Sequence, residues 1–161
     1  MKKKLEKIQL GRNPDFLPML LLKRYFYILI VFAFLLAGCS SVEKKKVRFK
    51  DIAFTVEVAR TKEQRLRGLM FRESLPFNSG MLFICGSQAI RPVHMKNTYI
   101  PLDIIWINED RRVVFVKKNA KPENGDHYET VCPDKEASYI LEVNAGTVNM
   151  IGLKEGDLLR F

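Results

Sequence analysis

A β-rich α+β fold, one compact domain built as a small barrel or as a sheet with two short helices, follows from three features of the sequence. Apolar residues alternate with period two in one segment, several further short runs are β-branched or aromatic, and two stretches carry helix start and stop signals. A chain of 161 residues allows one domain, and residues 39–161 remain for it once the N-terminal segment is read as a targeting device. A domain of that size buries a real core at the marginal end of stability.

The first element is that targeting segment. Lys23 and Arg24 precede an uncharged run from Tyr25 to Ala37, the basic region and short apolar core of a secretory signal. A spanning helix takes about 20 apolar residues, so the run favours a signal peptide over an uncleaved transmembrane anchor. Leu36-Ala37-Gly38-Cys39 closes it and resembles the lipobox of bacterial lipoproteins. Small residues let an extended backbone into the signal peptidase, and the Cys39 thiol forms the thioether to diacylglycerol. Each buried CH₂ contributes roughly 0.8 kcal/mol to attachment, so two or three acyl chains hold firmly. Residues 1–38 are therefore expected to be the signal peptide, 39–46 a lipidated polar tether, and 47–161 the domain. Met1 to Pro18 make a long preamble, and a conventional signal begins at Met19.

Within the domain, Ile52, Phe54, Val56 and Val58 alternate with Ala53, Thr55 and Glu57, which predicts a half-buried strand. Thr61 and Gln64 form a capping box and Gly68 a C-cap around a helix from Lys62 to about Arg67. Ser74-Leu75-Pro76 and Asn78-Ser79-Gly80 read as turns, and Met81 to Cys85 as a buried strand. Ile104–Asn108 and Arg112–Val116 flank Glu109-Asp110-Arg111 as a hairpin. Lys117 to Glu136 is polar and contains Pro122, Asn124-Gly125 and Pro133, so it reads as an exposed loop. Tyr139–Val143 restores a strand, Asn144 is placed to cap a short helix ending at Gly152, and Leu158–Phe161 reads as a last strand.

The formal charge of +9 invites a nucleic-acid reading until it is divided along the chain. Residues 1–38 hold seven Lys/Arg against two Asp/Glu, which leaves 20 against 16, or +4, for the remainder. Four of those cations, Lys44, Lys45, Lys46 and Arg48, stand beside the expected anchor, where anionic head groups can meet them. No aromatic-interleaved basic stripe remains, so nucleic acid is not an expected partner. If Cys39 is lipidated, Cys85 and Cys132 remain as a candidate disulfide in an exported protein; the alternative is two separate small apolar residues.

The densest polar cluster in an apolar region is His94-Met95-Lys96-Asn97-Thr98, followed by Asp103 after Pro101. Pro101 biases Ile100 towards extended geometry, so the segment reads as a fixed turn leading into a strand. Such a turn can present Lys96, Asn97 and Thr98 to an anionic or hydroxylated ligand; alternatively Asn97 and Asp103 satisfy local amides. Arg60, Arg65, Arg67 and Arg72 around the helix are either a phosphate or carboxylate site or a solvated surface. His127 near Asp126, Glu129 and Cys132 falls far short of a zinc pattern, and Met70, Met81, Met95 and Met150 read as core filler before copper ligands. No metal and no cofactor is expected, and no nucleophile elbow, P-loop or dinucleotide fingerprint occurs.

Arg67-Gly68-Leu69-Met70-Phe71-Arg72, Gly80-Met81-Leu82-Phe83, Met95-Lys96-Asn97-Thr98, Ile100-Pro101-Leu102-Asp103-Ile104-Ile105 and Leu141-Glu142-Val143-Asn144-Ala145-Gly146 resemble the ordered blocks of the domain of unknown function 192 family. The resemblance covers about Phe54 to Phe161. It implies a small protein, usually secreted or membrane-anchored, and no particular reaction. His94 stands where the family commonly has an aromatic residue, and Cys85 departs from the aromatic or aliphatic residue common nearby, so a role for either belongs to this chain alone. Two functional expectations result. One is a binding or accessory module of the cell envelope, anchored in a membrane through lipid on Cys39 and contacting an envelope ligand or protein around Lys96, Asn97, Thr98, Asp103 and Glu142. The other is an envelope enzyme with Asp103 or Glu142 as acid or base. A carboxylate lying in a concave pocket near Lys96 discriminates between them.

Overall fold

Successive side chains of a strand point to opposite faces of its sheet. Along β3 (Ser79–Ala89), β5 (Leu102–Ile107) and β8 (Ala137–Asn144) both sets are mainly apolar, with Asp103 and Glu142 among the buried exceptions. Met81, Phe83, Leu102, Ile104, Trp106 and Ile140 share one face, and Leu82, Ile105, Ile107, Leu141 and Val143 share the other. A sheet that is apolar on both sides must be covered on both, and all six residues of β5 are buried.

The computed structural model describes residues 25–27, 42–123 and 128–161. The chain divides into two units, Met1–Ser41 and Val42–Phe161. Of the first only Tyr25–Tyr27 are described, and they are helical. The rest of the expected signal peptide, its lipobox and Cys39 lie outside the described residues, as do Asn124, Gly125, Asp126 and His127.

In the second unit, β1 (Lys44–Phe49), β2 (Ile52–Ala59) and β6 (Val113–Ala120) complete a six-stranded sheet of order β1-β2-β3-β8-β5-β6. β2 and β3 run parallel, so the chain needs a crossover between them, and that crossover carries helix α1 (Lys62–Arg67). The other pairs are antiparallel. A small second sheet joins β4 (Val93–His94) to β7 (Thr130–Val131). Helix α2 (Thr147–Ile151) packs Val148 and Ile151 against one face of the large sheet. Leu69, Leu75, Met95 and Ile100 cover the other. Gly80 lets β3 and β8 approach closely, because a Cβ there would lie 2.4 Å from the Glu142 carbonyl oxygen.

Of the two expected architectures, the sheet is the one found. β1 and β6 are its two edges and do not pair with each other. The C-terminal segment is not a strand in its own right either. It ties the edges together by isolated bridges, Arg160 to Arg48 and Leu158 to Arg112.

Three further boundaries differ from the sequence expectation. β1 starts at Lys44, inside the segment expected to be tether, with Lys44–Lys46 opposite Glu57–Thr55. Lys117–Ala120 belong to β6 and Thr130–Val131 to β7, so only part of the expected polar loop is loop. Asn144 does not cap α2. It ends β8 and donates its Nδ2 to the carbonyls of Leu75 and Pro76, at 3.0 and 3.2 Å. The residue before α2 is Gly146, in the left-handed region at φ 87°, with no side-chain cap.

Candidate functional site

Helix α1 forms as its sequence dictates. Thr61 Oγ1 accepts the Gln64 N–H at 3.2 Å, Gln64 Oε1 accepts the Thr61 N–H at 3.0 Å, and the Gly68 N–H closes on the Gln64 carbonyl at 2.9 Å. None of its residues is buried, and Leu66 is 64% exposed. The helix therefore stands off the sheet, and a cavity of about 440 Å³ lies beneath it. One wall is α1 and the turn after it, from Lys62 to Met70; the opposite wall is Arg91 to Lys96, with Thr98 and Tyr128. Phe83, Cys85, Leu102, Ile140 and Glu142 form the sheet side. A second hollow, of about 850 Å³, lies between the β1–β2 turn and the C terminus. It is larger, but its charged residues Lys46, Arg48, Lys50, Asp51 and Arg160 are all exposed, so solvent already satisfies them.

The structure separates the two carboxylates named from sequence. Asp103 is 1% exposed; its Oδ1 accepts the Asn119 N–H at 2.9 Å and its Oδ2 the Val148 N–H at 2.8 Å. It thus caps α2 from the sheet and does not line the cavity. Glu142, adjacent along β8 to residues of the opposite face, lines the cavity and is 6% exposed.

Glu142 belongs to a cross-sheet row, Glu57–Met81–Glu142–Ile104, whose members share a face. Glu57 is held by a bidentate Arg72, at 2.8 and 2.5 Å, and that bond keeps its carboxyl below the usual range. Among the described residues no hydrogen-bonding or ionic partner reaches the Glu142 side chain, and burial pushes its carboxyl up to about 8. At neutral pH it is mostly a neutral acid.

The polar turn opposite is built as its sequence implies. The Thr98 N–H closes on the Met95 carbonyl at 3.0 Å, Thr98 Oγ1 bonds the Lys96 carbonyl at 3.3 Å, and Asn97 occupies the left-handed region at φ 51°. The Asn97 carbonyl accepts the Phe71 N–H at 2.7 Å, tying this turn to the segment after α1. Lys96 and Thr98 line the cavity and Asn97 does not. The Lys96 ammonium lies 5.4 Å from the Tyr128 ring centre, and the His94 ring packs against the same ring at 5.6 Å, tilted by 59°.

The four arginines in and around α1 divide between ion pairs and the cavity. Arg60 pairs with Glu43 at 2.7 Å and Arg72 with Glu57, whereas Arg65 and Arg67 line the cavity. Arg65 Nη1 donates to the carbonyls of Arg60 and, at 3.1 Å, Ile84. Arg91, not singled out from sequence, lines the opposite wall, gives its Nη2 to Ser87 at 2.7 and 3.1 Å, and offers its carbonyl to the Trp106 indole at 2.7 Å. Only the topology brings it there.

Cys85 and Cys132 are both free, Cys85 half-buried at the cavity and Cys132 exposed, so the candidate disulfide is absent. Burial raises the Cys85 thiol. Among the described residues no group of three or more His, Cys, Asp or Glu is placed to hold a metal. Met81 and Met95 are core residues, and Met150 is exposed.

The sequence pattern of the DUF192 family, described as an uncharacterised ACR, matches residues 44–161. The chain is 31% identical over 106 residues to a UPF0127 protein of Thermococcus kodakarensis, a match covering 65% of this chain and 62% of that one. It is 28% identical over 106 residues to a UPF0127 protein of Thermococcus gammatolerans, covering 65% and 64%. These matches thus span under two thirds of either relative. A crystal structure from Sinorhizobium meliloti 1021, described as a candidate transcription regulator, has a TM-score of 0.67 at 37% identity and covers 76% of this chain and 97% of its own. A protein of unknown function from Novosphingobium aromaticivorans has a TM-score of 0.69 at 31% identity, covering 77% and 89%.

Proposed function

The chain belongs to the DUF192 family, and on that premise we propose that its domain is a ligand-binding module of the cell envelope whose binding site is the cavity beneath α1. The observation that carries this reading is Glu142: a buried carboxyl with no partner among the described residues, facing a cavity rimmed by Arg65, Arg67, Arg91 and Lys96. Unpaired titratable groups in clefts concentrate at functional sites. The cavity falls in the usual volume range of small-molecule sites, and its mixture of apolar walls with a few convergent polar groups is typical of them. Lipid on Cys39 holds this module on the outer face of a membrane, a reading supported by the charged flank, the short apolar run and the lipobox resemblance.

A second reading keeps Glu142 as a general acid or base, since a carboxyl near 8 is poised for proton transfer at neutral pH. Asp103 has no part in it, because both its oxygens are engaged by backbone amides.

Binding is tested on the full chain in detergent by NMR, with metabolite-sized acids, amines and zwitterions as probes. Shifts are expected to gather at Gly68, Cys85, Lys96 and Glu142. Shifts confined to the hollow around Lys50 and Arg160, or none with any probe, would overturn the assignment.

A further inference from the structure

We infer that the cavity takes a short peptide of two or three residues with free termini, its ammonium set against Glu142 and its carboxylate held by the basic rim. This rests on the cavity being the binding site, as proposed above.

The row of residues across the sheet supplies the first half. Glu57 and Glu142 share a face two strands apart, and Arg72 stands over Glu57 with two charge-assisted bonds. Over Glu142 the corresponding space is cavity. A group that completes Glu142 as Arg72 completes Glu57 is a nitrogen cation with hydrogens to donate. An ammonium pairing there displaces the Glu142 proton to solvent, since burial alone holds that proton in place.

The rim supplies the second half. A simple cation is disfavoured in a cavity whose walls also carry Lys62, Arg65, Arg67 and Arg91, so the ligand must bring a negative pole as well. The separation of the poles follows from register. Arg65 is fastened to the Ile84 carbonyl, Ile84 lies opposite Tyr139, and Glu142 is three residues further along β8. Three residues of strand span about 10 Å. The termini of one amino acid are too close together for that, whereas two or three extended residues reach about 7 to 11 Å. Leu66, Leu69, Phe83, Leu102 and Ile140 line the interval and suit apolar side chains.

The test is calorimetric titration of the full chain in detergent at pH 7 with Leu-Leu, with N-acetyl-Leu-Leu, which lacks the ammonium, and with Leu-Leu amide, which lacks the carboxylate. Leu-Leu is expected to bind at least tenfold more tightly than either blocked form and to release a proton, measured as a heat that varies with buffer. Glu142→Gln should lower Leu-Leu affinity at least tenfold and leave N-acetyl-Leu-Leu unchanged. If N-acetyl-Leu-Leu or the amide binds as tightly as Leu-Leu, one pole is unused and the inference fails while the cavity remains a site. If no peptide binds but a small acid from the wider panel shifts the cavity residues, the inference again fails alone. If nothing binds there, both readings fall. The comparison among peptides uses the unmodified protein, so it stands even if the variant does not fold.

Discussion

Glu57 and Glu142 are the same residue type on one face of one sheet, and they differ in what stands above each. Arg72 turns Glu57 into a stabilised anion, while the cavity above Glu142 offers burial without a counter-charge. The consequence for stability has a definite sign. Unfolded, Glu142 titrates near 4.5; folded, it titrates near 8. Between those values the folded chain holds more protons, so raising the pH destabilises it. Wild-type stability should therefore fall relative to that of Glu142→Gln as pH rises from about 4.5 to about 8, and the gap should stay constant above that. A shift of this size corresponds to about 3 to 5 kcal/mol. Thermal or urea melts of both proteins from pH 5 to pH 9 measure the gap, and parallel stability curves would mean that Glu142 ionises freely in the fold. At this scale the sequence reveals residue types and little of their surroundings. Lys96 and Glu142, far apart in sequence, line one cavity. Asp103 is near Lys96 in sequence, yet its side chain points to the other face, to α2. Arg91 carries no local signal.

Elements were legible wherever their own residues determine them. The α1 capping box, with Thr61, Gln64 and Gly68, is an exchange of local hydrogen bonds and needs no tertiary information. The alternation in β2 and the hairpin of β5 and β6 are equally local. Two of the strand segments that sequence missed, Lys44–Lys46 of β1 and Lys117–Ala120 of β6, lie in the two edge strands of the large sheet. Edge strands face solvent and avoid intermolecular pairing by carrying charge, and their lysines make them look like loop or tether. The helix cap was missed for a different reason. An N-cap is normally sought just before its helix, whereas α2 receives Asp103 from a strand 45 residues away. Asp103→Ala should therefore orphan the amides of Asn119 and Val148 together, at a cost of about 2 to 4 kcal/mol. Because Asp103 faces away from the cavity, ligand affinity measured well below the melting point should stay within twofold of wild type. Loss of binding without loss of stability would reassign Asp103 to the site.

At the scale of the whole chain, the family match covers residues 44–161, and among the described residues every core residue lies from Val47 onward. On the function proposed above, the segment before them is an address separable from folding, and its sequence features fit one such address. A basic pair, a short apolar run and Leu36-Ala37-Gly38-Cys39 occur in the order that lipoprotein maturation requires. Metabolic labelling with a fatty acid should accordingly mark the wild-type chain, and Cys39→Ser should abolish the label and leave the uncleaved precursor, because the thiol that accepts diacylglycerol is gone and the peptidase acts only on the lipidated form. The domain of that variant should melt as wild type does, since its first strand, β1, begins at Lys44, five residues after Cys39 in sequence. The outcomes separate cleanly by gel and autoradiography. Label retained on the serine variant would place the lipid on another residue. An unlabelled wild type that stays at precursor size and resists extraction from membranes would make the apolar run a transmembrane anchor. Label lost together with the fold would show that the domain's stability depends on the lipid or on the segment that carries it.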